Sequence, residues 1–234
     1  MKKRILSILL LCCMVLIMLP TTVLAADGPM DTIPKYDVSI DVYNRTSDIS
    51  IKDSRSYYIY SSVPDKLRDT WAWDKKIFIK GDKTAPHVFI DGVNIKMSPS
   101  SKGPAIELNK KASAYLYFIG KDSSLQGADG RAAIQKNRSE GQLYVLARTG
   151  TTVTCKGGYR AAGIGGSWAI RNIGDPMFNM DMYGHGVNMH FGSQSNPDYW
   201  GGTINATGGE YGAGIGAGSW GHSGHSGNTI HGGA

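Results

Sequence analysis

One segment of the chain occurs twice: residues 151–168 read TTVTCKGGYRAAGIGGSW, and residues 202–220 read GTINATGGEYGAGIGAGSW. Over their first sixteen positions the two copies share seven identities at an offset of 51 residues. Self-similarity at a fixed period is typical of stacked architectures, in which each unit buries its apolar face against its neighbours. The chain is therefore predicted to be a repeat protein.

A small residue followed by isoleucine recurs along the chain and sets the period of the repeat. The isoleucines are Ile106, Ile134, Ile164 and Ile215, which are 28, 30 and 51 residues apart. Many short β-type runs separated by turn residues would fit a sandwich, a barrel or a parallel β-helix. In a solenoid, similar residues recur at the coil interval because each coil stacks on the next. A sandwich gives no physical reason for such a recurrence. The pattern predicts an all-β fold, a right-handed parallel β-helix of about five to seven coils.

The same period divides the chain into regions. Residues 75–234 are the predicted coils, and the irregular stretch 26–74 is the predicted N-terminal cap, because a solenoid needs its exposed edge covered. The last isoleucine interval is too long for one coil, and the surplus falls in residues 169–200, a predicted insertion at one corner. Residues 228–234 begin a coil without finishing it. We therefore expect a fragment, a truncated product or an end that a partner covers.

The N-terminus has the pattern of a secretory signal peptide. Lys2, Lys3 and Arg4 precede an apolar run that extends from Ile5 to Leu19. Small residues then fit cleavage after residue 25, so residues 1–25 are the predicted leader. The apolar run is shorter than the roughly 20 residues that span a bilayer. We expect a mature chain without a transmembrane span that is secreted and extracellular or held at the cell surface.

Removal of the leader changes the charge and the cysteine content. It takes away three positive charges and two of the three cysteines, so the formal net charge falls from +6 to +3. A mildly basic secreted domain could favour anionic glycans, but the dense basic patch of a nucleic-acid binder is lacking. The remaining thiol, Cys155, aligns with Ala206 in the second copy. We expect Cys155 to be buried and inert, with no intrachain disulfide.

Four further segments carry a resemblance to a known group of proteins. They read FIDGVNI at residues 89–95, AIELN at 105–109, TINATGG at 203–209 and GAGIG at 212–216. Together they resemble the repeats of secreted, Gly-rich, right-handed β-helix surface proteins of clostridia and related bacteria, several of which are described as carbohydrate-binding or adhesin-like. The likeness covers residues 75–234 apart from the insertion. It implies export and a role at the cell surface, and it supplies no catalytic residue.

Aromatic residues of the repeats are the candidate ligand-binding residues. Trp168 and Trp220 follow equivalent glycine turns, so we expect them on one side about two coils apart, roughly 10 Å at 4.8 Å per coil. Rings spaced in this way can stack on successive sugars, and Tyr159, Tyr211 and Trp200 lie close in sequence. The alternative is that the tryptophans pack over the turns and seal the solenoid edge.

No metal or catalytic motif is complete in this sequence. Asp175 and Asp181 in the insertion are candidate calcium ligands, because hard cations take carboxylate and backbone oxygens in irregular loops. The alternative is that they are solvated turn acids. No compact pair of carboxylates stands out, so no catalytic residue is predicted. The glycine clusters lack the strand and helix that a phosphate-binding loop requires.

These observations lead to three hypotheses on function. The first is a secreted, non-enzymatic surface protein that binds carbohydrate or cell-wall glycan, with calcium as a candidate cofactor. The second is an adhesive or structural module whose partner is a host or bacterial surface protein. The third is a polysaccharide lyase or glycoside hydrolase of the β-helix type. Nucleic acid is not an expected partner.

Overall fold

The computed structural model describes residues 34–98, 101, 103–109, 111–136, 140–168, 186–193, 195–196, 198–219 and 229–230. Within these residues the chain is all-β apart from one short 3₁₀ helix, Asp65–Leu67. The strands form three parallel sheets that stack coil upon coil as a right-handed β-helix. The fold class that the isoleucine period predicts is confirmed.

Three sheets contain all the strands of the described residues. In order along sheet A they are β1 (Val38–Asp41), β3 (Ser56–Tyr60), β5 (His87–Asp91), β8 (Ala114–Phe118), β11 (Leu143–Ala147), β14 (Met189–Phe191) and β17 (Thr229–Ile230). Sheet B contains β2 (Ile49–Ile51), β4 (Ile77–Lys80), β7 (Ile106–Asn109), β10 (Ile134–Lys136), β13 (Ile164–Gly165) and β16 (Ile215–Gly216). Sheet C contains β6 (Asn94–Lys96), β9 (Ser123–Gln126), β12 (Thr152–Lys156) and β15 (Thr203–Thr207).

A complete coil visits sheet A, then sheet C, then sheet B. Sheet C has four strands, so four coils in the described residues supply a strand to every sheet, fewer than the sequence leads us to expect. Two earlier turns supply strands to sheets A and B alone, β1 with β2 and β3 with β4. These stacked strands begin at Val38, inside the stretch 26–74 for which the sequence predicts an irregular cap.

The inner face of sheet B is a ladder of isoleucines. Its members pair residue to residue from strand to strand: Ile49, Ile77, Ile106, Ile134, Ile164 and Ile215. All but the last are fully buried or nearly so. Burial of a side chain of this size stabilises the fold by about 1.5–3 kcal/mol. The ladder therefore explains why the small-residue-plus-isoleucine step repeats in the sequence.

One lysine interrupts this apolar interior. Lys136 ends β10 opposite Leu108, a buried member of the core, and is itself almost fully buried. Its Nζ donates a hydrogen bond to the backbone oxygen of Glu140 at 3.1 Å. Burial lowers the pKa of Lys136 to about 8. The backbone acceptor satisfies part of the ammonium group that the interior would otherwise desolvate.

The predicted insertion contains a piece of a coil. Residues 169–185 lie outside the described residues, but β14 falls inside the range 169–200 and belongs to sheet A. It pairs with β11, with Met189 opposite Leu143 and His190 opposite Tyr144.

The one cysteine of the predicted mature chain faces the interior. Cys155 lies between Leu125 and Ala206 in sheet C and is fully buried. Burial raises the pKa of the thiol far above its ordinary value, which keeps it protonated and unreactive. The expectation of a buried, free thiol is confirmed.

Candidate functional site

The corner between β12 and β13 brings together three of the predicted ligand-binding residues. The rings of Tyr159 and Trp168 meet edge to face, with centroids 6.2 Å apart and planes at 80°. The guanidinium carbon of Arg160 lies 5.0 Å from the centroid of each of these rings and 5.7 Å from that of Tyr211. We call Tyr159, Arg160, Trp168 and Tyr211 the corner cluster. Arg160 contacts all three rings but is not among the residues that the sequence predicts.

The corner cluster stands on a turn that repeats in successive coils. In residues 158–161 the Ala161 N–H donates to the Gly158 oxygen at 3.0 Å, and Arg160 has a φ of +60°. The equivalent residues of the neighbouring coils are Gly130, with a φ of +74°, and Tyr211, with a φ of +63°. A positive φ at the third residue of such a turn favours glycine. The left-handed backbone costs a non-glycine residue roughly 1–2 kcal/mol.

Trp168 packs over the same turn of the preceding coil. Its backbone N–H donates to the Gly130 backbone oxygen at 3.0 Å, and a Cβ placed on Gly130 would lie 3.6 Å from the Trp168 ring. In the next coil the Ser219 backbone N–H donates the equivalent hydrogen bond to the Arg160 oxygen, at 2.8 Å. Ser219 is therefore the backbone counterpart of Trp168. The ring of Trp168 is partly buried by this packing.

The two copies of the repeat lie one coil apart. The equivalent glycine turns predict that Trp168 and Trp220 lie about two coils apart, and this prediction is wrong for the copies that carry them. Ile164 of the first copy pairs directly with Ile215 of the second. The additional residues between the copies lengthen a single coil and do not form a further coil. Trp220 itself lies outside the described residues.

Trp200 lies on a different face of the solenoid. Its ring tilts against Tyr117, with centroids 5.1 Å apart, and meets the Tyr199 ring edge-on at 4.6 Å. Tyr117 belongs to β8 and packs with the outer rings of sheet A. The structure therefore separates Trp200 from the corner cluster.

The outer face of sheet A carries stacked rings that the sequence analysis missed. His87, Tyr115, Tyr144 and His190 occupy one register position in successive strands. Neighbouring centroids are 4.6, 4.5 and 4.6 Å apart, with planes at 5°, 7° and 17°. We call these four residues the ring ladder. Because each ring covers the face of the next, the ring ladder stabilises coil stacking and leaves few ring faces for a ligand.

A second row of rings lies beside the ring ladder. Phe89 and Tyr117 are opposite each other in register, with centroids 4.9 Å apart. The Tyr117 hydroxyl lies 3.0 Å from Nδ1 of His87, which links the two rows. Burial raises the pKa of Tyr117 to about 12 and lowers the pKa of His87. Both groups are therefore held in their neutral forms at neutral pH.

A polar groove lies over the outer face of sheet C. It has a volume of about 430 Å³, is open to solvent and spans β6, β9 and β12. Its floor includes Asn94, Ser124 and Thr154, which are opposite one another in successive strands. Amide and hydroxyl side chains can both donate and accept hydrogen bonds. This sheet C groove therefore presents at least one such side chain in each of three successive coils.

One side of the sheet C groove is the segment 68–72. The Asn94 Nδ2 donates to the Arg68 oxygen at 2.9 Å, and Arg68 Nη1 donates to the Gly92 oxygen at 3.1 Å. These bonds tie the segment to the beginning of β6. Trp71 is partly buried and meets the Tyr43 ring edge-on, with centroids 5.4 Å apart. Trp71 packs against the core and also lines the groove, together with Ala72 and Ile95.

The charges that line the sheet C groove balance. The ionisable residues of the lining are two basic and two acidic: Arg68, Lys96, Asp69 and Asp122. Asp122 also accepts a hydrogen bond from the Thr152 N–H at 2.7 Å, which joins two coils. A lining without net charge gives no electrostatic preference for an anion. The mildly basic composition is therefore not concentrated at this groove.

The described residues do not form a recognisable metal site. Both predicted calcium ligands, Asp175 and Asp181, lie outside them. Across the parts of the chain that the structure describes, no group of three or more His, Cys, Asp or Glu side chains is arranged to hold a metal ion. Asp91, at one coil corner, accepts hydrogen bonds from the Tyr58 hydroxyl and the Lys121 N–H, both at 2.8 Å. Those bonds give Asp91 a structural role.

Two further findings concern membrane-spanning segments and relatives. Among the described residues, there is no helix with the length and apolar character to cross a membrane. No family model, no curated protein and no solved structure matches the chain.

Proposed function

We propose that this protein is a secreted, non-enzymatic bacterial surface protein that binds a glycan in the sheet C groove. The observation that carries the proposal is the groove itself, with its volume of about 430 Å³, its polar floor and Trp71 in its wall. Small-molecule pockets have roughly this volume, about 300–1,000 Å³, but their lining is predominantly apolar. A lining in which polar side chains outnumber apolar ones suits a ligand that has both hydroxyl groups and C–H faces, which is a carbohydrate.

The repetition of the floor supports a polymeric glycan. Asn94, Ser124 and Thr154 follow one another at the coil spacing, about 4.8 Å. The sugar units of a linear polysaccharide also recur at regular steps, so successive units can meet similar hydrogen-bonding groups. Trp71 supplies an apolar surface for the C–H face of one sugar ring.

The location belongs to the same proposal and is supported by the leader. Residues 1–25 have the basic, apolar and cleavage regions of a secretory signal peptide. Export would place the sheet C groove where cell-wall and host polysaccharides are present.

The hydrolase form of the enzymatic alternative requires paired carboxylates on either side of a sugar bond, and the lyase form requires calcium-binding carboxylates beside a basic residue. The carboxylates that line the sheet C groove are Asp69 and Asp122, and Asp122 already accepts the Thr152 N–H. Binding without cleavage is therefore the function that we propose. An assay for new reducing ends or unsaturated products, run on the same polysaccharides, tests the lyase and hydrolase alternatives directly.

The proposal is tested with an array of soluble polysaccharides and the mature chain, residues 26–234. The panel contains β-glucan, xylan, mannan, polygalacturonate and alginate, each with calcium and again with EDTA. Saturable binding to one polysaccharide is the expected result, and its loss in EDTA would add a metal requirement. A folded sample that binds no member of the panel would contradict the proposal and favour the hypothesis of a protein partner.

A pair of substitutions locates the binding site. Thr154 is exposed on the groove floor, so Thr154→Arg should fill the groove without disturbing the core. Asn205 is the next residue of the same column, is also exposed and does not line the groove, which makes Asn205→Arg the matched control. We expect Thr154→Arg to weaken binding about tenfold or more and the control to leave it unchanged. Equal losses would place the site elsewhere.

A further inference from the structure

We propose that the corner cluster is a second sugar subsite for the same glycan, and that this glycan is a neutral polysaccharide. This inference rests on the proposed function, since it assigns the ligand class and an additional contact to the same binding surface. Tyr211 is 70% exposed and Tyr159 is 40% exposed. Two large rings open to solvent beside a guanidinium group combine a stacking surface with hydrogen-bond donors.

The backbone of the corner indicates that these side chains have a role beyond the fold. Arg160 and Tyr211 both adopt a positive φ at the turn position that Gly130 occupies in the neighbouring coil. Glycine would form the same turn without steric strain. Strained positions are concentrated at functional sites, where the side chain is needed in spite of the backbone. A role for the Arg160 and Tyr211 side chains explains why glycine does not occupy this turn position in these two coils.

The charges at the corner favour a neutral ligand. The second residue of the turn is Asp129 in one coil and Glu210 in another, and both are exposed. In the three equivalent turns, residues 128–131, 158–161 and 209–212, Arg131 and Arg160 supply the same number of positive charges. Carboxylate and guanidinium groups can both hydrogen-bond sugar hydroxyls, and their balance removes any net attraction for a uronate. The lining of the sheet C groove shows the same balance.

The two sites lie within reach of one polysaccharide chain. Thr154 in the groove and Tyr159 in the corner cluster belong to the same coil and are five residues apart. Even a fully extended backbone would separate their Cα atoms by at most ~18 Å. An oligosaccharide of several units is therefore long enough to contact both sites, and we expect a disaccharide to occupy the groove alone. The contribution of the corner cluster should depend on the length of the glycan.

The test compares Arg160→Gly and Tyr211→Gly with the unsubstituted mature chain. Glycine is the residue that the neighbouring coil already uses at this turn position, so both variants should fold. Tyr36→Ala is the matched control, because Tyr36 is 39% exposed and lies outside both sites. The probes are β-glucan, xylan and mannan with their disaccharides, and polygalacturonate and alginate as acidic polymers.

We expect Arg160→Gly and Tyr211→Gly to weaken binding of a neutral polysaccharide about tenfold and to leave disaccharide binding unchanged. Thr154→Arg should weaken both, and Tyr36→Ala neither. Unchanged polysaccharide binding by both glycine variants would overturn the second subsite and leave the groove proposal standing. Tighter binding of the acidic polymers would overturn the neutral ligand class. If the unsubstituted chain binds none of the probes, the proposed function fails and this inference fails with it.

Discussion

The ring ladder and the corner cluster are both rich in aromatic residues, but they use their rings in opposite ways. In the ring ladder, neighbouring rings are nearly parallel and about one coil apart, so each ring covers its neighbour. In the corner cluster, Tyr159 and Trp168 are nearly perpendicular and enclose Arg160, while Tyr211 is mostly exposed. The orientation of the rings, rather than their number, distinguishes a surface that stabilises the solenoid from one that can contact a ligand.

The largest loss of stability is expected from replacing a closely packed glycine at the corner. A Cβ on Gly158 would lie 1.9 Å from the backbone oxygen of Ala128, so Gly158→Ala should lower the free energy of unfolding by about 3 kcal/mol or more. Urea denaturation measures this change. Gly150→Ala is the control, because Gly150 has a positive φ but no atom within 4 Å of the added Cβ. The free energy of unfolding of the control should fall only by the roughly 1–2 kcal/mol that a left-handed backbone costs. An equal fall in both variants would contradict the steric explanation.

The next effect separates the two aromatic regions. Tyr115 contacts a ring on each side, His87 and Tyr144, so Tyr115→Ala should lower the free energy of unfolding by about 2 kcal/mol. Tyr115→Phe keeps the ring and should stay close to the unsubstituted protein. Urea denaturation of both variants is the measurement. A loss as large for Tyr115→Phe would mean that the hydroxyl, and not the stacking, provides the stability.

A smaller effect should appear as a pH dependence of the ring ladder. Burial lowers the pKa of His87, which stacks on Tyr115 and lies 3.0 Å from the Tyr117 hydroxyl, so folding favours its neutral form. Stability should be complete above the unfolded pKa of about 6.5 and should fall as the pH drops from there towards the folded pKa. The melting temperature at pH 7.5 and pH 5, compared with that of His87→Phe, measures this change. An equal fall in the variant would assign the pH dependence to other groups.

The smallest effect on stability is expected in the corner cluster. Arg160→Gly removes a left-handed strain of roughly 1–2 kcal/mol. It loses three cation–π contacts of about 0.5–1 kcal/mol each, and the greater freedom of glycine in the unfolded chain costs about 0.5–1 kcal/mol more. The strain relief offsets much of this loss, so the melting temperature should fall only slightly. A large fall in the melting temperature would mean that Arg160 serves the fold, as the His87 and Tyr115 rings do.

The fold could be predicted because the interior of a solenoid repeats. Ile106, Ile134 and Ile164 meet the same neighbours in each coil, so the sequence repeats where the packing does. The ring ladder has nearly the same spacing, since Tyr115 follows His87 by 28 residues and Tyr144 follows Tyr115 by 29. Following aromatic residues at the coil period would have identified the ring ladder from the sequence.

The sheet C groove could not be predicted in the same way. Its wall, residues 68–72, occurs once and belongs to an earlier turn of the chain than β9 and β12, whose floor residues it faces. Such a contact between a unique segment and later coils leaves no periodic signal. The corner cluster was predicted in part, through Tyr159, Trp168 and Tyr211. Arg160 was missed because an isolated arginine in a glycine-rich turn has no pattern that identifies its ring contacts.

The most direct test of this account is the affinity of Thr154→Arg and Tyr115→Ala for the neutral polysaccharide that the unsubstituted mature chain binds best, measured side by side. Thr154→Arg should weaken binding about tenfold or more at unchanged stability, and Tyr115→Ala should keep its affinity in spite of its lower stability. If Tyr115→Ala loses binding while Thr154→Arg retains it, the ligand contacts the ring ladder and the sheet C groove is not the binding site.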